Sequence, residues 1–220
     1  MRLGRLRPVP RRNRVDPYGD LHAVAGRGLL TGNRGCLVDD HGEVVRHHGS
    51  TLWISCRTDF RGWRHPLAAP RVWTPIFFLD DAVALAAGHR PCARCRREAY
   101  LAYRDAVTRA SGRATPLLAA DLNKRLAVER HRPGRGLFRA TDRRTWGASI
   151  TQLPAATVIV DDERYPRLVL DDRTMAFTFD GWIDPIGRPR RGHVEVLTPP
   201  TSVAALANGY SPVLHPTAHS

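Results

Sequence analysis

Apolar positions along this chain fall into short runs and stripes with turn residues between them, a pattern that predicts an α+β fold. Phe77-Phe78-Leu79 leads into Asp80-Asp81-Ala82-Val83-Ala84-Leu85-Ala86-Ala87-Gly88, which reads as a short helix with Asp80 or Asp81 at its start and a left-handed Gly88 at its end. Tyr100, Tyr103 and Val107 share a stripe that predicts a helix over 96–111. Leu117, Leu118, Leu122 and Leu126 predict another over 116–130. The stretch 37–56 reads as hairpin strands around turns at 39–42 and after Arg46. Val158-Ile159-Val160, Arg167-Leu168-Val169-Leu170 and 175–179 are separated by acidic turns and predict an antiparallel meander, with His193–Leu197 as a fourth strand. Thr198-Pro199-Pro200 leads into a short helix over 201–208, capped by Thr201 or Ser202.

Charge divides the chain. The formal net charge is +13, and residues 1–150 hold 28 Lys+Arg against 13 Asp+Glu, while residues 151–220 hold 6 against 8. The expected organisation is a flexible basic arm over 1–14, a basic domain over 15–150 and a small β-rich unit over 151–220. Such a field suits a polyanion, of which nucleic acid is the commonest. Lys124 is the only lysine, so arginine over lysine is in part what codon bias produces. The excess over acids, and its concentration in one half, is not explained that way. No apolar run approaches the roughly 20 residues that span a bilayer, and the charged first residues precede no apolar region. A cytoplasmic, non-membrane protein is expected.

The chemistry concentrates at Gly88-His89-Arg90-Pro91-Cys92-Ala93-Arg94-Cys95. Two thiolates two residues apart can hold one tetrahedral zinc through a tight turn, and Arg90, Arg94, Arg96 and Arg97 favour the deprotonated sulfur that binding needs. Cys56 ends the apolar Leu52-Trp53-Ile54 strand and is the expected third ligand. Four cysteines for one four-coordinate ion assign the fourth position to Cys36, with His65 and His89 as alternatives. The competing readings of the thiols are a reduced, unligated pair, a redox pair, disfavoured by the missing strand context, and a disulfide scaffold, disfavoured by few cysteines. Arg14 and Arg34 flank glycine-rich turns where backbone could approach a phosphate, and Arg61, Trp63 and Arg64 interleave cations with an aromatic. With Arg90, Arg94, Arg96 and Arg97 they form the expected nucleic-acid-binding set.

The stretch from Phe78 to Arg96, with its core at Ala86–Cys92 and Cys95, resembles the metal-binding domain of the bacterial adaptive-response (Ada) methyltransferase over roughly a tenth of the chain. The resemblance implies zinc, DNA as the partner, and a place in DNA repair or processing. That domain has a Cys-x-x-x-Cys first pair, absent here, and one of its cysteines accepts a methyl group from a damaged phosphate, which makes Cys56 the candidate acceptor. The whole chain is also similar to an uncharacterised bacterial family carrying the Cys56 segment, the knuckle and a Leu197–Pro200 tail, which implies no activity.

Three functional readings follow. The first is a zinc-stabilised nucleic-acid-binding protein, DNA being favoured over RNA by the resemblance. The second is an enzyme on nucleic acid, either nuclease-like, with groups such as Asp59, His65, Asn123 and Glu129, or transferring a methyl group. No complete catalytic constellation assembles in the sequence. The third is a metal-stabilised module binding another protein.

Overall fold

The computed structural model describes residues 10–62, 65–131 and 142–220. Among these the chain is α+β, with two six-stranded sheets and four α-helices. The first sheet is mixed and combines β1 (Arg14–Val15), β2 (Leu21–His22), β3 (Leu30–Asn33), β4 (Ile54–Arg57), β5 (Ile76–Phe78) and β6 (Arg90–Pro91) in the order β2-β1-β5-β3-β4-β6. The helix α1 (Asp81–Ala86) lies between β5 and β6, and α2 (Arg97–Ala110) and α3 (Ala119–Arg130) follow β6. The second sheet is antiparallel throughout, from β7 (Trp146–Ser149), β8 (Val158–Val160), β9 (Pro166–Val169), β10 (Arg173–Thr178), β11 (Gly181–Gly187) and β12 (His193–Val196), ordered β11-β10-β9-β8-β12-β7. The helix α4 (Pro200–Ala207) packs on α2 and α3.

The pivot is α1, whose six residues are all buried. A helix this short gains little from its own hydrogen bonds and is held by the core around it. Asp80 caps it, accepting from Val83 N–H at 3.0 Å, and the same buried carboxylate accepts from Trp182 Nε1 at 2.7 Å and His215 N–H at 2.9 Å. Asp81 accepts both Arg96 amino groups at 2.6 Å and the Val213 N–H at 2.9 Å. Two adjacent carboxylates thus tie the basic half, β11 and the tail into one unit. One cluster of buried residues accordingly runs from Val15, Phe78 and Leu85 through Tyr103 and Leu122 to Val158, Leu168 and Trp182. A second, from Ile150, Ile159, Val196 and Val203, lies across the second sheet.

The structure revises several expected elements. Residues 37–46 contribute only a bridge between Val38 and Val44, because β4 finds its partners in β3 and β6 instead. The third helix starts at Ala119, with Leu117 tucked into the core before it. The meander gains β11, which Asp184-Pro185 had hidden from the apolar pattern. Neither Thr201 nor Ser202 caps α4 with its own side chain. Glu129 does so from α3, accepting from Thr201 N–H at 3.0 Å and Thr201 Oγ1 at 2.5 Å.

Candidate metal centre and its cavity

The strand β4 alternates, and its two faces do different work. Ser55 is buried toward α1 and Arg96, whereas Ile54 and Cys56 point to the opposite face. β6 runs parallel to β4, with Ile54 opposite Arg90 and Ser55 opposite Pro91, and Cys92 N–H donates to Ser55 O at 2.9 Å. That register brings Cys92 beside Cys56. The knuckle then turns: Arg94 N–H donates to Cys92 Sγ at 3.4 Å, and Arg96 N–H to Cys92 O at 3.1 Å, starting α2. Cys95 Sγ accepts from the Arg57 backbone N–H, which closes the turn onto β4.

The sulfur atoms of Cys56, Cys92 and Cys95 lie within 4.8 Å of one another. Tetrahedral zinc with Zn–S of about 2.3 Å sets its sulfurs about 3.8 Å apart, so the three thiols form three corners of such a site with only small adjustment. Their proton chemistry agrees. Cys92 is pushed toward thiolate, first by hydrogen bonds from the Cys56 and Cys95 thiols and then by backbone N–H groups, while Cys56 is pushed up because it supplies a shared proton. A divalent cation bound here would replace those protons, and three thiolate donors suit a soft or borderline-soft metal.

The fourth corner is different. Cys36, expected there, lies outside the group: the chain leaves β3 through Gly35, and the Cys36 thiol turns to Val38 O at 3.5 Å. His89 is fully buried on the other face, between the rings of Trp53 and Phe78. His65 lies in the wall of the adjoining cavity, its ring packed at a tilt against Trp73 with 4.2 Å between centroids. Among the described residues no fourth His, Cys, Asp or Glu joins the three thiols.

The cavity occupies about 370 Å³ and opens directly on the sulfurs. Its floor is the outer face of the first sheet, Thr31 and Asn33 of β3, Ile54 and Cys56 of β4 and Phe77 of β5. Its walls include Phe60, His65, Trp73 and Arg94. The alternation of β3, buried Leu30 and Gly32 against half-buried Thr31 and Asn33, is the signal that could have found this floor in the sequence.

The expected nucleic-acid-binding residues divide sharply. Arg14 is buried and donates to Gly26 O and to Phe179 O at 3.0 Å. Arg34 is wholly buried and gives both amino groups to Gly19 O. Arg90 donates to Asn123 Oδ1 and its guanidinium sits over Tyr100, and Arg96 is held by Asp81 and Ser55. These four hold the fold together, and in this conformation their guanidinium groups do not reach a surface ligand. Arg61, Arg94 and Arg97 are exposed, as is Arg57 beside them on β4. Trp63 and Arg64 lie outside the described residues. Asn123 and Glu129, considered for an enzyme site, are engaged with Arg90 and Thr201, apart from His65.

No family model, curated protein or solved structure matches the chain. The functional reading therefore stands on the three-thiol group and its surroundings. No helix among the described residues is long and apolar enough to cross a membrane.

Proposed function

We propose that this is a zinc-dependent nucleic-acid-binding protein, acting on DNA in repair or processing, whose three-thiolate centre organises the binding face. The observation that carries it is the position of the thiols: they line an aromatic-walled cavity rather than a closed core, with Arg57, Arg61, Arg94 and Arg97 exposed nearby in the basic half. Exposed guanidinium groups grip phosphates, and Phe60, His65 and Trp73 offer flat surfaces to an unstacked base. Zinc, when bound by the three thiolates, would hold Cys56 on β4 against the Cys92–Cys95 turn, while the exposed arginines supply the positive field. The Ada-like knuckle supports DNA over RNA.

Fluorescence anisotropy with zinc-loaded protein on single- and double-stranded DNA and RNA, run across a salt series, tests this. DNA binding that weakens steeply with salt and fails in Cys92→Ser is the expected result. Zinc-loaded protein that retains no nucleic acid at low salt overturns the proposal.

The open corner favours one second reading, methyl transfer. Cys56 sulfur faces the cavity and could attack the methyl carbon of a methylphosphotriester, forming an S–CH₃ bond while the phosphate oxygen keeps the electron pair of the broken O–CH₃ bond. A gain of one methyl group on the Cys56 peptide after incubation with methylated DNA supports it, and an unmodified peptide from zinc-loaded protein excludes it.

A further inference from the structure

Across the first sheet from the thiols lies a second cluster of chemistry that the proposed function does not use. Trp53, immediately before β4, is almost wholly buried, and two guanidinium groups pack on its ring, Arg130 Cζ at 4.0 Å and Arg34 Cζ at 4.9 Å. His89 packs on the same ring at 5.0 Å. Arg143 joins them: a Cβ on Gly88 would stand 3.5 Å from its Nη1 and 2.3 Å from Arg130 Cδ, so the chain at Gly88 runs between the two arginines.

Arg34, Arg130 and His89 have no exposed surface, and Arg143 has 4%. Three guanidinium groups are thus removed from water together. Buried charge of one sign is unfavourable unless an opposite charge or dipoles meet it. Backbone carbonyls meet some of it, since Arg130 donates to Gly88 O at 2.8 Å and Arg143 to Leu197 O at 2.6 Å. No carboxylate oxygen lies within 4.0 Å of any of the three among the described residues. Residues 1–9, 63–64 and 132–141 contain no Asp or Glu, so the rest of the chain cannot supply one.

Several buried polar atoms of this cluster also lack a hydrogen-bond partner: Arg34 Nε, Arg130 Nε, Arg143 Nε and Nη1, and both ring nitrogens of His89. Four of these are guanidinium N–H groups, and burial keeps His89 neutral, so its ring donates from one nitrogen; unsatisfied buried donors are rare, and this many in neighbouring side chains ask for an acceptor. The cation–π contacts with Trp53 ease the burial of two guanidinium groups but accept none of those N–H bonds.

We infer that the Arg34–Arg130–Arg143–His89 cluster is an internal binding site for a small tetrahedral oxyanion of the inorganic phosphate class. Asp16, Asp20 and Glu129 act on these arginines only from beyond 4.0 Å, and such an ion would bring negative charge into contact and offer several acceptor oxygens to the unpartnered N–H groups. The burial of all four side chains excludes a phosphate within a nucleic-acid strand, so this site is separate from the proposed DNA-binding face. The two sites share scaffolding: Trp53 leads into the strand of Cys56, and His89 stands three residues before Cys92. The anion would act as a structural element behind the metal centre.

Ion chromatography tests this on full-length protein purified and dialysed without phosphate or sulfate, then denatured to release bound ions. About one equivalent of phosphate or sulfate per chain is expected from the wild type, and less than about a tenth from a folded Arg143→Met variant. If the ion exchanges during dialysis, added phosphate raises the thermal midpoint of the wild type and leaves that of Arg143→Met unmoved. Arg34→Gln serves for the comparison if Arg143→Met does not fold. Wild-type protein that releases no oxyanion and whose midpoint ignores phosphate overturns the inference, as does release of chloride alone or full retention by both variants.

Discussion

Replacing Asp81 by Asn removes the charge that anchors the knuckle from behind. In the wild type the Asp81 carboxylate takes two hydrogen bonds of 2.6 Å from Arg96, with side chains 1% and 7% exposed, and Arg96 N–H also closes the turn on Cys92 O. Removing one partner of such a pair strands the other charge in the interior, a loss of about 3–5 kcal/mol. Against a total stability of about 5–15 kcal/mol for a domain, that is roughly a fifth or more. Arg96→Gln should lose a similar amount, and the double variant should be less destabilised than the sum of the two by about 1–3 kcal/mol, because neither charge is left behind. Urea unfolding monitored by tryptophan fluorescence measures all four proteins. Arg96→Gln should also keep the wild-type salt dependence of nucleic-acid binding, since a buried guanidinium releases no counterions. A loss below about 1 kcal/mol for Asp81→Asn, or strict additivity in the double variant, would refute the reasoning.

Acid should weaken the fold through His47, whose imidazole is held neutral down to about pH 2, first by burial and then by Arg34 beside it. Between that value and the ordinary 6.5 of the unfolded chain only the unfolded state binds the proton, so stability falls with falling pH by about 1.4 kcal/mol per unit. Urea midpoints from pH 6.5 to 4.5 should fall more gently in His47→Gln, by about 2–3 kcal/mol over the range, and parallel slopes would remove His47 from the account. Gly88→Ala meets a φ of +83° and an Arg130 Cδ at 2.3 Å, and a thermal-denaturation loss of about 2–4 kcal/mol is expected where a near-neutral result would contradict the packing. The triple variant Arg61→Gln, Arg94→Gln and Arg97→Gln should fold normally and lower the salt slope of log K for DNA by about 2–3, and an unchanged slope would place the binding face elsewhere.

Local signals carried much of this structure. Asp80, Gly88 and the alanine run marked α1, and the turn residues between β8, β9 and β10 marked the meander, because capping and turn chemistry act over a few residues. The Cys92–Cys95 spacing pointed to a thiol group for the same reason, and Cys56 was legible as the end of an apolar strand. What stayed hidden depends on pairings across the chain. The exposure of an arginine is decided by what packs on it, so Arg34, Arg90 and Arg96 read as surface cations although Gly19, Asn123 and Asp81 bury them. Cys36 read as a ligand by arithmetic alone, and the path after β3 turns its thiol away. Glu129 capping α4 from another helix, and the gathering of Arg34 and Arg130 on Trp53 with Arg143 beside Gly88, have no signature in spacing.

The central claim is that Cys56, Cys92 and Cys95 together hold one metal ion beside the cavity. Native mass spectrometry and elemental analysis of untagged wild type, Cys36→Ser, Cys56→Ser and Cys92→Ser test it most directly. The account predicts about one zinc per chain in the wild type and in Cys36→Ser, and loss of the ion in Cys56→Ser and Cys92→Ser. A folded wild type without metal, or metal retained in Cys56→Ser and lost in Cys36→Ser, would contradict it.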